Sequence, residues 1–554
     1  MVAVKAILFF SILLLSFALL SHADTSSITV TVKSVTTIAN TDNDFICATL
    51  DWWPKDKCDY GQCPWGMTGI LNLDLNNPNL AKAVKAFDPL RIRVGGSLED
   101  QVVYQVGHAI KKFPRFKKRK DGLFGFSRGS LSMKRWDQLN KFFSETNTKV
   151  IFGLNALFGK KNKEPTTILW VGDWNPHNAR DFMNYTAQMG YKIDSYEFGN
   201  ELCGSGVSAR VEAEQYARDT IQVRKAVNEL YPDPNSRPKV LGPAGFFDEE
   251  WFKKYLEAVG PNVVDGVTHH IYNLGAGVDP NLIHKVQDPY FLDEVAQTFK
   301  DVQDVVDRSG TGAAAWVGES GGAFNSGGRD VSHTFANGFW YLDQLGMAST
   351  FSHKAYCRQS LVGGNYGLLN SNTFTPNPDY YGYHRVFELI QFNQSTYSKL
   401  NAYILMWFWI SALLWHRLMG TGVLATTHDG SPYLRSYTHC TKNQVTGVTL
   451  LLINMDNSTT FNVWVSNDLN LYNENSDSSS LTEDREEYHL TPQGGNIQSD
   501  VVLLNGTPLK LTDCGDIPNL PPKYVPASSP VTVAPDSFVF VRIKDFKAPA
   551  CQNR

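Results

Sequence analysis

The chain has 554 residues, of which 42% are hydrophobic, 12% aromatic and 19% charged, and its formal net charge is −4. This length is enough to bury a large core and to form more than one domain, and the composition excludes a disordered chain. The slightly negative charge gives no reason to expect a nucleic-acid partner.

The N-terminus carries a targeting signal. Lys5 precedes the apolar run "AILFFSILLLSFALL", and "SHA" then supplies small residues before Asp24. This pattern predicts that residues 1–23 are a secretory signal peptide, cleaved after Ala23. We therefore expect a secreted protein of the extracellular space or cell wall. A lysosome or vacuole, with peripheral association with its membrane, is the alternative.

The cysteines and glycosylation sequons agree with secretion. Eight cysteines are widely spread, with no CxxC pair and no His/Cys cluster of metal-binding spacing, so we expect no metal and no cofactor. One or two disulfides are expected, with Cys440 joined to a C-terminal partner or Cys58 joined to Cys63 as candidates. The predicted glycosylation sites are Asn184, Asn393, Asn457 and Asn505.

The first elements in the chain are strands. Within residues 24–45, "SSITVTVKSVTTI" alternates as a strand, and we expect it to pair with a C-terminal β-sandwich. From 46 to 420, strand-like runs such as "LRIRVGGS", "KVIFGLNAL", "IDSYEFGNE" and "AAWVGES" alternate with helical stretches such as "SMKRWDQLNKFFSETN". This repetition favours a parallel α/β fold, and its length suits a (β/α)8 barrel. No GxGxxG or P-loop motif opens a helix.

Two further regions depart from this texture. The segment Lys111–Lys120, "KKFPRFKKRK", has seven basic residues in ten, and it is either a solvated loop or a site for an anionic polysaccharide. After residue 421, short alternating strands separated by Asn, Asp, Gly and Pro predict a β-sandwich domain over 421–554.

Two glutamates end strand-like runs in similar surroundings. Glu201 closes "DSYEFGNE" and Glu319 closes "AAAWVGE", with two strand candidates between them. In a barrel they would lie at the carboxyl ends of strands four and seven, where active sites form. Two such carboxyl groups about 5–5.5 Å apart are the machinery of retaining glycoside hydrolysis. Asn200, beside Glu201, would bind a sugar 2-hydroxyl. The alternative is a structural cap and an unrelated surface glutamate.

A family resemblance covers nearly all of the chain after residue 23. The motifs "RVGGS", "GLNAL", "EFGNEL", "VTHHIYNLG", "WVGESGGA", "FWYLDQLG", "YCRQSLVGGNYGLL" and "ALLWHRLMG" resemble, in order, plant members of glycoside hydrolase family 79. These are the heparanase-like proteins and β-glucuronidases. The resemblance implies a (β/α)8 barrel carrying a β-sandwich domain, with retaining chemistry.

The same resemblance implies roles for single residues. Glu201 of "FGNEL" would be the acid/base, and Glu319 of "WVGES" the nucleophile. Tyr272 of "HHIY" would hydrogen-bond the nucleophile. In "GGNY", the Gly364 backbone and Tyr366 would meet the substrate carboxylate.

Five other residues have open roles. His269 and His270 end a strand, and each either lines the cleft or is a buried structural histidine. Only one of the pair can point inward, because successive side chains on a strand face opposite sides. Asp100 contacts a sugar hydroxyl or caps a helix. Arg93, together with Arg91 on the same strand, is expected to form ion pairs in the barrel interior.

One segment departs from the family pattern. Relatives run from "NPDYY" directly into "SALLWHRLMG", whereas residues 382–410 intervene here and contain "YILMWFWI". We interpret this insert as a retained intron. The alternatives are an extended approach to the last barrel helix, a partner-binding patch, or a membrane attachment through Tyr403–Trp415.

The sequence thus predicts a secreted, monomeric retaining β-glucuronidase. Its partner would be a glucuronate-containing carbohydrate, either an arabinogalactan-type glycan or a glucuronide. The alternatives are endo-cleavage of an anionic heparan-like polysaccharide and a carbohydrate-binding protein without turnover.

Overall fold

The fold is built on a closed parallel barrel. The computed structural model describes residues 24–108, 112–379, 412–444, 446–469, 484–509, 511–512 and 516–552. Eight strands close the barrel in chain order, each hydrogen-bonded to the next and the last to the first. They are Ile46–Asp51, Arg91–Gly95, Lys149–Leu154, Ser195–Phe198, Lys239–Phe246, Gly266–Ile271, Ala314–Ser320 and Tyr356–Arg358. The predicted (β/α)8 barrel is confirmed.

Helices connect the barrel strands and cover the outside of the barrel. In Met133–Glu145, for example, Ser132 caps the first turn by accepting from the Arg135 N–H at 3.2 Å, and Trp136 lies on the buried apolar face. The α-helices are Pro78–Lys85, Met133–Glu145, His177–Gln188, Ala213–Leu230, Glu249–Val259, Leu282–Lys285, Pro289–Asp293, Ala296–Arg308, Asn337–Thr350 and Ala412–Leu418.

Two sheets pack beside the barrel. The larger contains Ala39–Asn40, Met419–Leu424, Leu434–Thr441, Val448–Asn454, Ser537–Ile543, Asp484–Pro492, Val502–Leu504, Thr507–Pro508 and Lys523–Pro526. The smaller contains Thr426–Thr427, Thr25–Val32, Thr460–Asn467 and Val531–Val533. The N-terminal strand Thr25–Val32 therefore lies in the smaller sheet, parallel to Thr460–Asn467.

The larger sheet is buried on both faces, which explains its continuous apolar strands. In Val448–Asn454, Leu451 and Ile453 belong to the core shared with the barrel, whereas Leu450 and Leu452 face the smaller sheet. Phe538 of this sheet stacks on Phe335, 4.6 Å away between ring centroids. The sheet thus holds one side of the barrel in a fixed position.

Three disulfides join the described cysteines. The predicted pair Cys58–Cys63 is present, and Cys440 has a C-terminal partner as predicted, which is Cys551. Cys47–Cys357 is a third, so the expected number was too low. Its two cysteines lie opposite one another on the first and last barrel strands, which barrel closure brings together. Cys203 is the free cysteine among the described residues.

Several sequence-based predictions lie outside the described residues. These are the signal peptide at 1–23, Lys111 of the basic run, and the insert at 382–410 with its sequon at Asn393. Within the described ranges, no helix combines the length and apolar character needed to cross a bilayer.

Candidate active site

Glu201 and Glu319 meet at the carboxyl end of the barrel. Glu319 lies in the seventh barrel strand, and Glu201 follows the fourth, Ser195–Phe198. One carboxylate oxygen of each glutamate and a ring nitrogen of His270 all lie within 4.8 Å of one another. The predicted strand positions are therefore correct, and the two carboxylates share one site.

The backbone around Glu201 is strained in a way that aims its side chain. Gly199 and Glu201 both have left-handed φ values, 72° and 56°. For a glutamate such a conformation costs about 1–3 kcal/mol and persists only where its surroundings enforce it. Here the Glu201 N–H donates to the Ala244 carbonyl at 2.7 Å, which ties the turn to the fifth strand.

Glu319 is held by two donors. The Tyr272 hydroxyl donates to Oε1 at 2.6 Å, and Arg93 Nη1 donates to Oε2 at 2.7 Å. The two hydrogen bonds fix the orientation of the carboxylate group. Gly321 allows this arrangement, because a Cβ at that position would lie 2.8 Å from the Tyr272 ring.

Arg93 connects most of the groups at the site. Besides Glu319, its guanidinium donates to the Glu197 carboxylate and to Asn200 Oδ1, the latter at 2.8 Å. Burial disfavours the charged guanidinium, but the carboxylates of Glu197 and Glu319 outweigh it and hold the pKa of Arg93 above its ordinary value. The cation therefore fixes Glu319 and the Asn200 amide together.

Glu201 has a different electrostatic environment. Burial raises the pKa of Glu201 to about 7, although the Arg93 charge acts in the opposite direction. His270 Nδ1 lies 3.1 Å from Glu201 Oε1, and burial lowers the pKa of His270 to about 4. A neutral imidazole thus faces a carboxyl group that can carry a proton near neutral pH.

The two glutamates line a cavity of about 220 Å³, which we call the central cavity. Its wall is aromatic, with Trp53 next to Trp65 and Phe124 at 6.2 Å between ring centroids. Flat apolar rings of this kind pack well against sugar faces. Its further lining residues are Lys57, Asp59, Ser97, Val207, Phe246, Tyr272, Phe324, Asn325, Ser326, Gln359 and Tyr366.

The residues predicted to read a substrate carboxylate differ in their positions. Tyr366 lines the central cavity, with its ring 6.2 Å from Trp65. Gly364 borders a neighbouring depression, and a Cβ there would lie 2.5 Å from the Tyr366 ring. Because Gly364 has no side chain, the Tyr366 ring can pack against the backbone at this position.

The cluster of Glu201, His270 and Glu319 is compact enough to ligate a cation. However, Tyr272 and Arg93 already occupy both oxygens of Glu319, and the guanidinium would repel a divalent ion. The donor set therefore fits acid–base chemistry better than metal binding.

Other predicted residues have structural positions. His269 points away from the barrel interior and pairs with His353 at 2.9 Å between ring nitrogens. Asp100 neither caps an α-helix nor lines the central cavity. Instead it accepts from the backbone N–H groups of Ala156 and Asn200, at 2.7 and 2.9 Å, and so positions the turn before Glu201.

The described sequons lie away from the site. Asn184 and Asn457 are exposed, within helix His177–Gln188 and after strand Val448–Asn454 respectively. The amide of Asn505 is half-buried, and its Oδ1 accepts from the His489 N–H at 3.0 Å. Glycosylation at these positions remains a prediction.

Some site residues were missed at the level of sequence. The ion pairs expected for Arg93 are present, but its contact with Glu319 was not anticipated. The sequence contained a signal for this contact, since Arg93 and Glu197 are charged residues within predicted barrel strands. Asp51 was also missed, at the end of the first strand, where burial and the nearby Glu319 raise its pKa to about 8.

Comparisons with known proteins agree with this geometry. The model of glycosyl hydrolase family 79, N-terminal domain, matches residues 27–346. Heparanase-like protein 1 of Arabidopsis thaliana is 49% identical, over 94% of each chain. Baicalin-beta-D-glucuronidase of Scutellaria baicalensis is 40% identical, over 91% of this chain and 90% of that protein.

Solved structures support the fold. The α-L-arabinofuranosidase of Thermotoga maritima superposes with a TM-score of 0.59 at 13% identity, over 93% of this chain and all of that one. A 4-O-α-L-rhamnosyl-β-D-glucuronidase of Fusarium oxysporum gives 0.58 at 13% identity, with the same coverage. Taken together, the site and the sequence matches show that the chain belongs to glycosyl hydrolase family 79 and is a glycoside hydrolase.

Proposed function

We propose that this protein is a retaining β-glucuronidase that removes terminal glucuronate from arabinogalactan-type glycans or from small glucuronides. The observation that carries the proposal is the close approach of Glu201 and Glu319, with oxygens within 4.8 Å. Inverting enzymes keep their carboxyl groups about 6.5–9.5 Å apart, to leave room for a water molecule. The names and identities of the plant relatives support glucuronate as the sugar.

In the first step, Glu319 attacks the anomeric carbon while Glu201 gives its proton to the glycosidic oxygen. The bond to the leaving group breaks and a covalent glycosyl-enzyme forms. The pKa of Glu201, near 7, suits a group that must be protonated in this step. Arg93 and Tyr272 stabilise the negative charge of Glu319 before attack.

In the second step, Glu201 takes a proton from water, which attacks the anomeric carbon and releases Glu319. Because Glu319 is neutral while it bears the sugar, Glu201 stays ionised more easily at this stage and can act as the base. Asn200 has an amide nitrogen that donates to none of the described residues, and we assign it to the sugar 2-hydroxyl.

Substrate carboxylate recognition falls to Tyr366, supported by Gly364, on the wall of the central cavity. The three disulfides support a protein that works in an oxidising compartment, such as the extracellular space. We therefore propose a secreted enzyme.

The test is hydrolysis of p-nitrophenyl β-D-glucuronide, followed by NMR of the first-formed sugar, with Glu319→Gln as the blank. We expect turnover with β-glucuronate as the initial product. Initial α-glucuronate would disprove retention. If the folded protein cleaved no terminal glucuronide, the endo-acting enzyme or the binding protein would replace this proposal.

A further inference from the structure

Glu201 lies on the boundary between two hollows. On one side is the central cavity, which also contains Glu319. On the other side is a smaller hollow of about 100 Å³, which Glu319 does not line. Its lining residues, which define what we call the Glu201 hollow, are Glu201, Cys203, Gly204, Ser205, Gly206, Val207, Phe246, Phe247 and Asp248.

The double-displacement mechanism indicates which part of the substrate each of these two hollows would hold. The nucleophile attacks the anomeric carbon from the face opposite the leaving group, and the acid must reach the glycosidic oxygen. The reacting sugar therefore lies between the two glutamates, in the central cavity. The group attached through the glycosidic oxygen must leave on the Glu201 side, where the Glu201 hollow adjoins the central cavity through the shared residues Glu201, Val207 and Phe246.

The Glu201 hollow is formed by two loops in close contact. The Cys203 thiol donates to the Phe246 carbonyl at 3.3 Å. A Cβ at Gly204 would lie 2.9 Å from the Asp248 Cβ, so the chain approaches this closely because residue 204 is glycine. Asp248 is fixed because its Oδ1 caps helix Glu249–Val259, accepting from the Trp251 N–H at 2.9 Å. The site is therefore preorganised.

The rim of the hollow is apolar and exposed. Val207 is 47% exposed and Phe246 is 42% exposed, and both also border the central cavity. The Phe246 ring packs near Tyr272 and His270, at 6.2 and 6.3 Å between centroids. A positioned aromatic side chain at the mouth of a small polar hollow fits a flat partner that also carries hydroxyl groups.

The charge of the hollow points to a neutral partner. Among the described residues that line it, none is basic, and the acidic ones are Glu201 and Asp248. Glu249 and Glu250 follow immediately and pair with Lys253 and Lys254 one turn further along the helix. Among the residues that line the hollow, a carboxylate or sulfate on the leaving group would meet the Asp248 carboxylate and no cation.

We propose that the Glu201 hollow is the leaving-group subsite, and that it takes a neutral, planar, hydroxylated group such as a phenolic aglycone in preference to an anionic sugar. This inference rests on the proposed β-glucuronidase function and makes it more specific. Asp248 would accept a hydrogen bond from an aglycone hydroxyl, while Phe246 and Val207 pack against its ring.

Phe246→Ala tests the stacking part, with Phe324→Ala as the matched control. Phe324 is a phenylalanine of similar exposure, 41%, that borders the central cavity but not the Glu201 hollow. The measurement is kcat/KM for 4-methylumbelliferyl and methyl β-D-glucuronides. We expect Phe246→Ala to lower the ratio of the two values about tenfold. Phe324→Ala should leave that ratio unchanged, whatever its effect on absolute rates.

Asp248→Asn tests the charge part, and it keeps the helix cap because asparagine caps as well as aspartate. Two aryl glucuronides of matched leaving-group acidity are compared, one with and one without a carboxylate on the aglycone. We expect the wild-type enzyme to prefer the neutral substrate. In Asp248→Asn, the ratio of kcat/KM for the neutral substrate to kcat/KM for the anionic substrate should fall about fivefold. This is the contribution of one like charge about 4 Å away in water-like surroundings.

The outcomes separate this inference from the proposed function. If neither methyl nor aryl glucuronides are cleaved, the proposed function itself fails. If both are cleaved but Phe246→Ala and Phe324→Ala change the ratio equally, the leaving group lies elsewhere. Equal cleavage of the neutral and the anionic aryl substrates by the wild-type enzyme would overturn the assigned preference.

Discussion

Glu201 and Glu319 occupy similar positions at the ends of two barrel strands, yet their neighbours differ in kind. Glu319 receives hydrogen bonds from the Arg93 cation and the Tyr272 hydroxyl. Glu201 faces a neutral imidazole, and burial raises its pKa to about 7. The difference supports the roles proposed for the two residues, because the surroundings, and not the residue type, separate a nucleophile from an acid.

The largest expected effect comes from replacing each glutamate by glutamine. Glu319→Gln should lower kcat/KM by about 10⁴-fold or more on every substrate, because no bond to the anomeric carbon can form. Glu201→Gln should lower it by about 10²–10⁴-fold on substrates with poor leaving groups. Its effect should be smaller on p-nitrophenyl glucuronide, because nitrophenolate leaves without a proton.

The measurement is kcat/KM for both variants on alkyl and nitrophenyl glucuronides, with melting temperatures to show that both fold. Added azide should restore activity to Glu201→Gln and not to Glu319→Gln, since a small anion replaces water without needing a base. If the loss of kcat/KM in Glu201→Gln did not depend on the leaving group, Glu201 would not be the acid. If the loss depended on the leaving group in Glu319→Gln instead, the two roles would be exchanged.

Arg93 provides a second test of the difference between Glu201 and Glu319. Arg93→Lys keeps a positive charge but cannot contact Glu319, Glu197 and Asn200 together, because lysine has a single donor nitrogen. We expect kcat to fall by about 10²–10³-fold, as when one preorganised donor is removed from an active site.

Arg91→Lys is the control, two residues earlier on the same strand. Arg91 is equally buried and donates to the Asp44 carbonyl at 2.8 Å, away from both glutamates. It should cost stability without a comparable loss of kcat per folded molecule. Equal losses of kcat in the two variants would mean that Arg93 stabilises the barrel and has no specific role in the active site.

The strand positions of the glutamates were predictable, whereas their neighbours were not. An apolar run that ends in Glu and is followed by small residues is a local pattern. It correctly located Glu201 after strand four and Glu319 in strand seven. The same local reading gave Cys58–Cys63, whose partners are five residues apart. Such features depend on nearby residues only.

Contacts across the barrel depend on its closure, which has no local signature. Cys47 and Cys357 are 310 residues apart and meet because the first strand pairs with the last. Arg93 reaches Glu319 across the barrel in the same way. The different environments of Glu201 and Glu319 follow from these distant contacts. The sequence therefore predicts which residues act, but not what sets their protonation.

The smallest expected effect, and the most discriminating, is on the pH dependence of kcat/KM. Glu201 must be protonated to donate to the glycosidic oxygen, so activity should fall as the pH rises through its pKa of about 7. Burial raises that pKa and the Arg93 charge lowers it, so losing the charge should raise it further. Arg93→Met should therefore move the alkaline limb of the pH profile to higher pH, and Arg93→Lys should leave it in place.

If both variants moved the limb equally, the position of the guanidinium and not its charge would control the proton on Glu201. A limb that persisted in Glu201→Gln, with a substrate that needs proton donation, would belong to another group.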